Sequence, residues 1–138
     1  MKRTLASALF LTSLFAVGAA SAQEHGLTAN VPFEFTVGTR LLPAGTYTVT
    51  SPSSGVVQFQ SADKHIAAMT TTSQQENDPA KGNKLVFSRY GDQYFLRDVL
   101  SPTAASLNVH VPRTRLEKQV QRQEAMLGGG QPVLIAAR

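Results

Sequence analysis

The segment from Lys84 to Leu100 constrains this chain more than any other. Lys84-Leu-Val-Phe-Ser-Arg-Tyr90 and Gln93-Tyr-Phe-Leu-Arg-Asp-Val-Leu100 flank the dipeptide Gly91-Asp92. Two runs rich in β-branched and aromatic residues, separated by a two-residue loop that opens with glycine, form a β-hairpin. Glycine in first place suits a type II′ turn, whose twist matches that of the strands it joins. A loop of fixed length also fixes register. The expected pairs are Tyr90 with Gln93, Arg89 with Tyr94, Ser88 with Phe95, Phe87 with Leu96, Val86 with Arg97 and Leu85 with Asp98. One face then carries Leu85, Phe87, Tyr94 and Leu96, with Arg89 and Asp98 at its ends.

The rest of the chain from about Thr28 to Val111 carries the same kind of signal. In Val31-Pro-Phe-Glu-Phe-Thr-Val37 the apolar residues recur with period 2, the mark of a strand with one buried face. Pro32 cannot donate to a ladder, so this strand is expected at a sheet edge or beginning there. Leu42-Pro-Ala-Gly45 reads as a type I turn. Strands are expected over Thr46–Thr50 and Val56–Gln60, with Ser51-Pro-Ser-Ser-Gly55 turning between them. A weaker strand covers His65–Thr72 after a short turn at Ala62-Asp-Lys64. Ser73 to Asn83 hold no large apolar side chain and read as the longest polar loop. After a turn at Ser101-Pro-Thr103, Ala105–Val111 is expected as a last strand, with Leu107, Val109 and Val111 on one side. Seven or so short strands between turn signals predict an all-β fold, a small antiparallel β-sandwich or barrel-like domain.

The first 22 residues stand outside that domain. Lys2 and Arg3 precede an apolar run from Leu5 to Ala20, and Ala20-Ser-Ala22 supplies the small residues of a cleavage site. This is the pattern of a secretory leader, with cleavage expected after Ala22 and export to the periplasm or beyond. The run is shorter than the roughly 20 residues that a membrane-spanning helix needs. Removing 22 of the 138 residues leaves 116, with 11 basic and 9 acidic side chains, a net of +2. A chain of that length buries roughly 60–70% of its unfolded surface, enough for a core of its own. There is no cysteine, which excludes disulfides, iron–sulfur clusters and cysteine-based zinc sites. An exported β domain without disulfides must be held by packing and hydrogen bonds alone.

The C-terminal part reads differently. Thr114-Arg-Leu-Glu117 is a capping box, predicting a helix from about Arg115 to Leu127 that Gly128-Gly-Gly130 stops. Leu116, Val120 and Leu127 fall within about 40° on a helical wheel, and Arg115, Lys118 and Arg122 within about 60° on another face. Residues 113–127 carry four basic and two acidic side chains, so the whole excess of charge in residues 23–138 lies on this helix. The tail Pro132-Val-Leu-Ile-Ala136 can add a strand to its own sheet or to a neighbour's edge, which makes it a candidate for self-association. The organisation is thus a leader (1–22), a β domain (23–112), a helix (113–127) and a glycine hinge with tail (128–138).

Three segments in order are V-P-F-x-F-x-V-G at Val31–Gly38, L-P-A-G-x-Y-x-V at Leu42–Val49, and L-V-F-x-R-Y-G-D-x-Y-F-L at Leu85–Leu96, followed by V-P-R-T-R-x-E at Val111–Glu117. Together they resemble a group of uncharacterised small exported proteins known chiefly from acidobacteria. The resemblance covers most of residues 28–117 and brings no activity, ligand or catalytic residue with it. That group ends in a short basic–acidic helix, and the Gly128–Gly130 break with its apolar tail departs from the pattern.

Little in the residues points to catalysis. There is no G-x-S-x-G and no glycine-rich phosphate loop, and the Ser51–Ser54 cluster reads as a turn. His25, His65 and His110 meet no spacing of a known metal site, even with Asp63 beside His65. No metal and no cofactor is expected. Paired carboxylates are the chemistry of glycoside hydrolysis, so a concave pocket gathering Glu34, Asp92 or Asp98 would mark a carbohydrate-active enzyme. Two binding surfaces are candidates. Arg89, Tyr90, Asp92 and Tyr94 form a polar–aromatic hairpin edge, with Arg89 able to sit over Tyr94. Arg115, Lys118 and Arg122 form a basic stripe suited to anionic lipid head groups or an acidic envelope polymer. That stripe lacks the interleaved aromatics of a nucleic-acid surface. The sequence therefore predicts an exported, non-enzymatic binding or structural module of the cell envelope. Its partner would be an envelope polymer, a lipid surface or another exported protein. A carbohydrate-active enzyme and an anionic-surface binder acting through the helix are the alternatives.

Overall fold

A computed structural model describes residues 26–61, 63–76, 82–128 and 130–138. Residues 1–25, which include the expected leader and His25, lie outside the described residues, as do Ala62, residues 77–81 of the polar loop and Gly129. The fold is mostly β, with one helix near the C-terminus, as the sequence predicts. The strands are β1 (Leu27–Val31), β2 (Phe35–Val37), β3 (Arg40–Leu42), β4 (Gly45–Ser53), β5 (Val56–Ser61), β6 (Ala67–Thr71), β7 (Ser73–Gln74), β8 (Lys84–Tyr90), β9 (Gln93–Leu100), β10 (Val109–His110) and β11 (Gln131–Ala136). Helix α1 spans Arg115–Ala125.

Two sheets curl into a half-barrel. The first has the order β1-β4-β5-β6 and is antiparallel throughout. The second runs β11-β8-β9-β10-β7, and β2 joins β9 in parallel, with β3 outside it. Short β2 and β10 thus share one edge of β9. The sheets are joined at both sides. Thr28 and Arg138 exchange two backbone hydrogen bonds of 2.8 and 2.9 Å beside an Ala29–Ala137 bridge. On the other side β6 runs into β7 with only Thr72 between them, so one stretch of chain serves both sheets.

The core lies between the sheets. Phe35 sits at its centre, fully buried, with edge-on contacts to Tyr47 (5.2 Å between ring centroids) and Phe59 (5.9 Å) from the first sheet and Phe87 (5.3 Å) from the second. Tyr47 is buried yet satisfied, because its hydroxyl donates to the Pro43 carbonyl. That burial raises its phenol above the ordinary value.

The hairpin forms as read from Tyr90–Gln93 to Phe87–Leu96. Gly91 has φ +60° while Asp92 stays out of the left-handed region, which makes the turn type II′. Beyond Phe87 the register shifts, and Val86 pairs with Asp98 and Leu85 with Val99. Arg97 is the extra residue of a β-bulge, which leaves two residues facing one on the partner strand. Val99 turns inward and is buried, while Asp98 moves to the outer face. Arg89 and Asp98 therefore do not share a face. Asp98 meets His110 instead, at 2.6 Å from Oδ1 to Nδ1.

Three other expectations are corrected. Val31–Val37 is not one strand: β1 ends at Val31, residues 32–34 cross between the sheets, and β2 begins at Phe35. Pro32, without an N–H, stands where the ladder stops. The buried alternation of β1 is Leu27, Ala29 and Val31, whereas all three residues of β2 are buried. Ala105–Val111 is a 3-10 turn (Ala105–Leu107) followed by two-residue β10, although Leu107, Val109 and Val111 are all buried as expected. Ser73 and Gln74, read as loop, pair with β10.

Helix α1 is capped as predicted on one side only. Thr114 Oγ1 accepts from the Glu117 N–H at 3.2 Å. The Glu117 side chain does not reach back; it is 2% exposed against the sheet, where Tyr90, Arg97 and Arg113 approach it. Val120 is the only member of the expected apolar stripe to be buried, packing with Tyr90 and Phe95, while Leu116 and Leu127 are exposed. The tail folds back as β11 along β8, in register from Gln131–Arg89 to Ala136–Lys84. Of its two possible destinations it takes its own sheet, with Val133 and Ile135 against the core.

Candidate functional site

The outer face of the second sheet carries a cleft of about 250 Å³, between the β2–β3 hairpin and the first turn of α1. Its position follows from the crossing at residues 32–34. The parallel pair Thr36–Phe95 sets β2 beside β9, so two residues back along both strands Glu34 comes beside Gln93. The crossing is held by Phe33, whose ring stacks on Tyr94 at 3.8 Å and 14° and meets Phe87 edge-on at 5.3 Å.

Thr36 lies at the floor, only 8% exposed, and its hydroxyl has no hydrogen-bond partner among the described residues. Leu41 of β3 stands on one side and Leu116 of α1 on the other, 63% and 48% exposed. Glu34, Thr39, Asp92 and Gln93 supply polar groups around them, and Tyr94 completes the lining. Neither Glu34 nor Asp92 has an ion-pair partner among the described residues.

The structure divides the hairpin residues named from sequence. Asp92 and Tyr94 belong to the cleft. Arg89 does not: its Nε donates to the Gly91 carbonyl at 2.8 Å, and its guanidinium carbon lies 5.7 Å over the Tyr94 ring, so it braces the turn. Tyr90 lies on the outer face, as the cleft does, but it is covered by α1 and packs with Phe95 and Val120, its hydroxyl 3.4 Å from Glu117 Oε1. Alternation along β8 puts Arg89 and Tyr90 on opposite faces, with Arg89 beside its cross-strand partner Tyr94. Of the carboxylates, Glu34 and Asp92 are gathered and Asp98 is not. Thr36, Thr39, Leu41, Gln93 and Leu116 were not singled out from sequence as site residues. Leu41 had a legible signal, since its neighbour Leu42 faces inward.

Arg115, Lys118 and Arg122 do come together, all exposed, along a shallow groove on the outward side of α1. The inward side holds Glu117. Burial pushes its carboxyl above the ordinary value, and the opposing pull of Arg97 (3.4 Å), Arg113 (3.9 Å) and the Tyr90 hydroxyl does not cancel that effect. Among the described residues no three histidine, aspartate or glutamate side chains converge as metal ligands, and no helix is long and apolar enough to cross a membrane.

Comparison with family models, curated proteins and solved structures finds no match to this chain.

Proposed function

We propose that this protein is an exported, non-enzymatic binding module of the cell envelope that takes its ligand in the cleft beside Thr36. One observation carries the reading. A nearly buried threonine, without a hydrogen-bond partner among the described residues, opens between two leucines left bare to solvent. Apolar side chains gathered with a few polar groups around one concavity are the usual make-up of a ligand site. The leader pattern of residues 1–22 supports export. The cationic side of α1, which ends in Met126 and Leu127 at 91% and 80% exposure, suits the same module to an anionic envelope surface.

A second reading has its own support, because Glu34 and Asp92 line one concavity, as a carbohydrate-active enzyme needs of its acid and base. One experiment separates the two. Amide shifts of labelled protein are followed while small ligands are added, and the same samples are assayed for hydrolysis of a broad glycoside panel. A binding module gives saturable shifts at Thr36, Leu41 and Leu116 without turnover. Turnover abolished by Glu34→Gln or Asp92→Asn would replace the binding reading with the enzymatic one.

A further inference from the structure

Resting on that reading of the cleft, we infer that its ligand group is a primary alkylammonium, the end of a lysine side chain or of a small alkylamine. An ammonium has three N–H donors and no acceptor. The cleft offers a matching set of acceptors: the carboxylates of Glu34 and Asp92 and the hydroxyl of Thr36. Thr36 is 8% exposed and has no partner among the described residues, yet it is not sealed from solvent, so the part of it left open faces the cleft. A hydroxyl placed this way is a hydrogen-bonding position awaiting its partner.

Two cations near the cleft among the described residues are engaged elsewhere. Arg89 is turned to the Gly91 carbonyl and the Tyr94 ring. Arg115 lines the separate groove on the outward side of α1. The apolar part of the ligand has its place as well. Amphipathic amines lay their methylene stems along apolar surface while the charged head stays in polar surroundings, and Leu41 and Leu116 provide such walls. Size agrees: about 250 Å³ is below the roughly 300–1,000 Å³ of sites for drug-sized molecules and suits a group no larger than a side chain. A stacked sugar is less well provided for, because one face of Tyr94 is already covered by Phe33 at 3.8 Å.

The test compares Nα-acetyl-lysine-methylamide with its neutral Nε-acetylated form, 1,5-diaminopentane and cellobiose, by amide shifts and calorimetry. The lysine derivative is expected to bind at least tenfold more tightly than the neutral form, and more weakly as salt is added. Glu34→Gln, Asp92→Asn and Thr36→Val should each weaken it several-fold with the melting temperature of the two surface variants unmoved. Diaminopentane binding as well as the lysine derivative identifies a free amine as sufficient; a preference for the lysine derivative identifies a peptide ligand. Equal binding of the neutral form overturns the inference. Cellobiose binding at Thr36 and Leu41 without amine binding overturns it too but preserves the cleft as a ligand site. Silence from every probe at those residues counts against both.

Discussion

The C-terminal strand offers a stability test with its own internal control. Along β11 the side chains alternate: Ile135 is half-buried against the core, and Leu134 next to it is 61% exposed. Both are large aliphatic residues in one strand paired with β8, so the comparison turns mainly on their burial. Fully buried isoleucine-to-alanine changes cost about 2–5 kcal/mol. Ile135 is partly rather than fully buried, so Ile135→Ala should cost about 1–3 kcal/mol. Leu134→Ala should stay within about 0.5 kcal/mol, as surface changes do. In a domain of this size 1 kcal/mol moves the melting temperature by about 4 °C. Thermal unfolding followed by circular dichroism should therefore separate the two variants by several degrees. Equal shifts, or a larger one for Leu134→Ala, would mean that the tail does not dock with this face inward.

Two further outcomes follow from close packing and from burial of charge. A Cβ at Gly130 would lie 2.4 Å from the Tyr90 ring, itself 3% exposed, so Gly130→Ala should cost about 1–3 kcal/mol by overpacking; a urea midpoint equal to that of the parent would refute the contact. The folded Glu117 carboxyl is held above its ordinary value, so its contribution to stability is fully present below the unfolded value of about 4.3 and is lost as pH rises through the folded value. Glu117→Gln, a neutral stand-in, should be at least as stable at pH 7, because it removes a buried charge whose desolvation outweighs the pull of Arg97 and Arg113. It should also lose the stability that the parent gains on acidifying from neutral pH toward the unfolded carboxyl value; a less stable variant with the parent's pH slope would contradict this.

How far the residues announced the fold depended on how local each cause was. The Gly91–Asp92 turn acts on its immediate neighbours, so the pairs from Tyr90–Gln93 to Phe87–Leu96 were readable. The bulge at Arg97 was not, because the extra residue makes sense only with Glu117 on a helix arriving from twenty residues later. The capping box named Glu117 correctly and misjudged its direction: a local signal competed with a tertiary one, and the sheet won. The alternation from Val31 to Val37 was real in composition, but it straddled a change of sheet at Pro32. That same crossing explains the partial reading of the cleft. Glu34, Asp92 and Tyr94 were each recognised, whereas the floor residue Thr36 carries no signal of its own and gains its position from a single parallel pairing with Phe95.

The hydrogen bonds between Thr28 and Arg138 join nearly the first described residue to the last. A chain emerging from its N-terminal end therefore forms β1 long before the residues that close its outer edge exist. Until residues 131–138 are free to move, the edges of both β1 and β8 stand open, and open edges invite pairing with other chains. Closure of this half-barrel therefore waits on the docking of residues 131–138, and the interval before it is a time of exposure to aggregation. Lengthening that interval, by slowing the docking of residues 131–138, should lower the soluble yield without altering the fold that is finally reached.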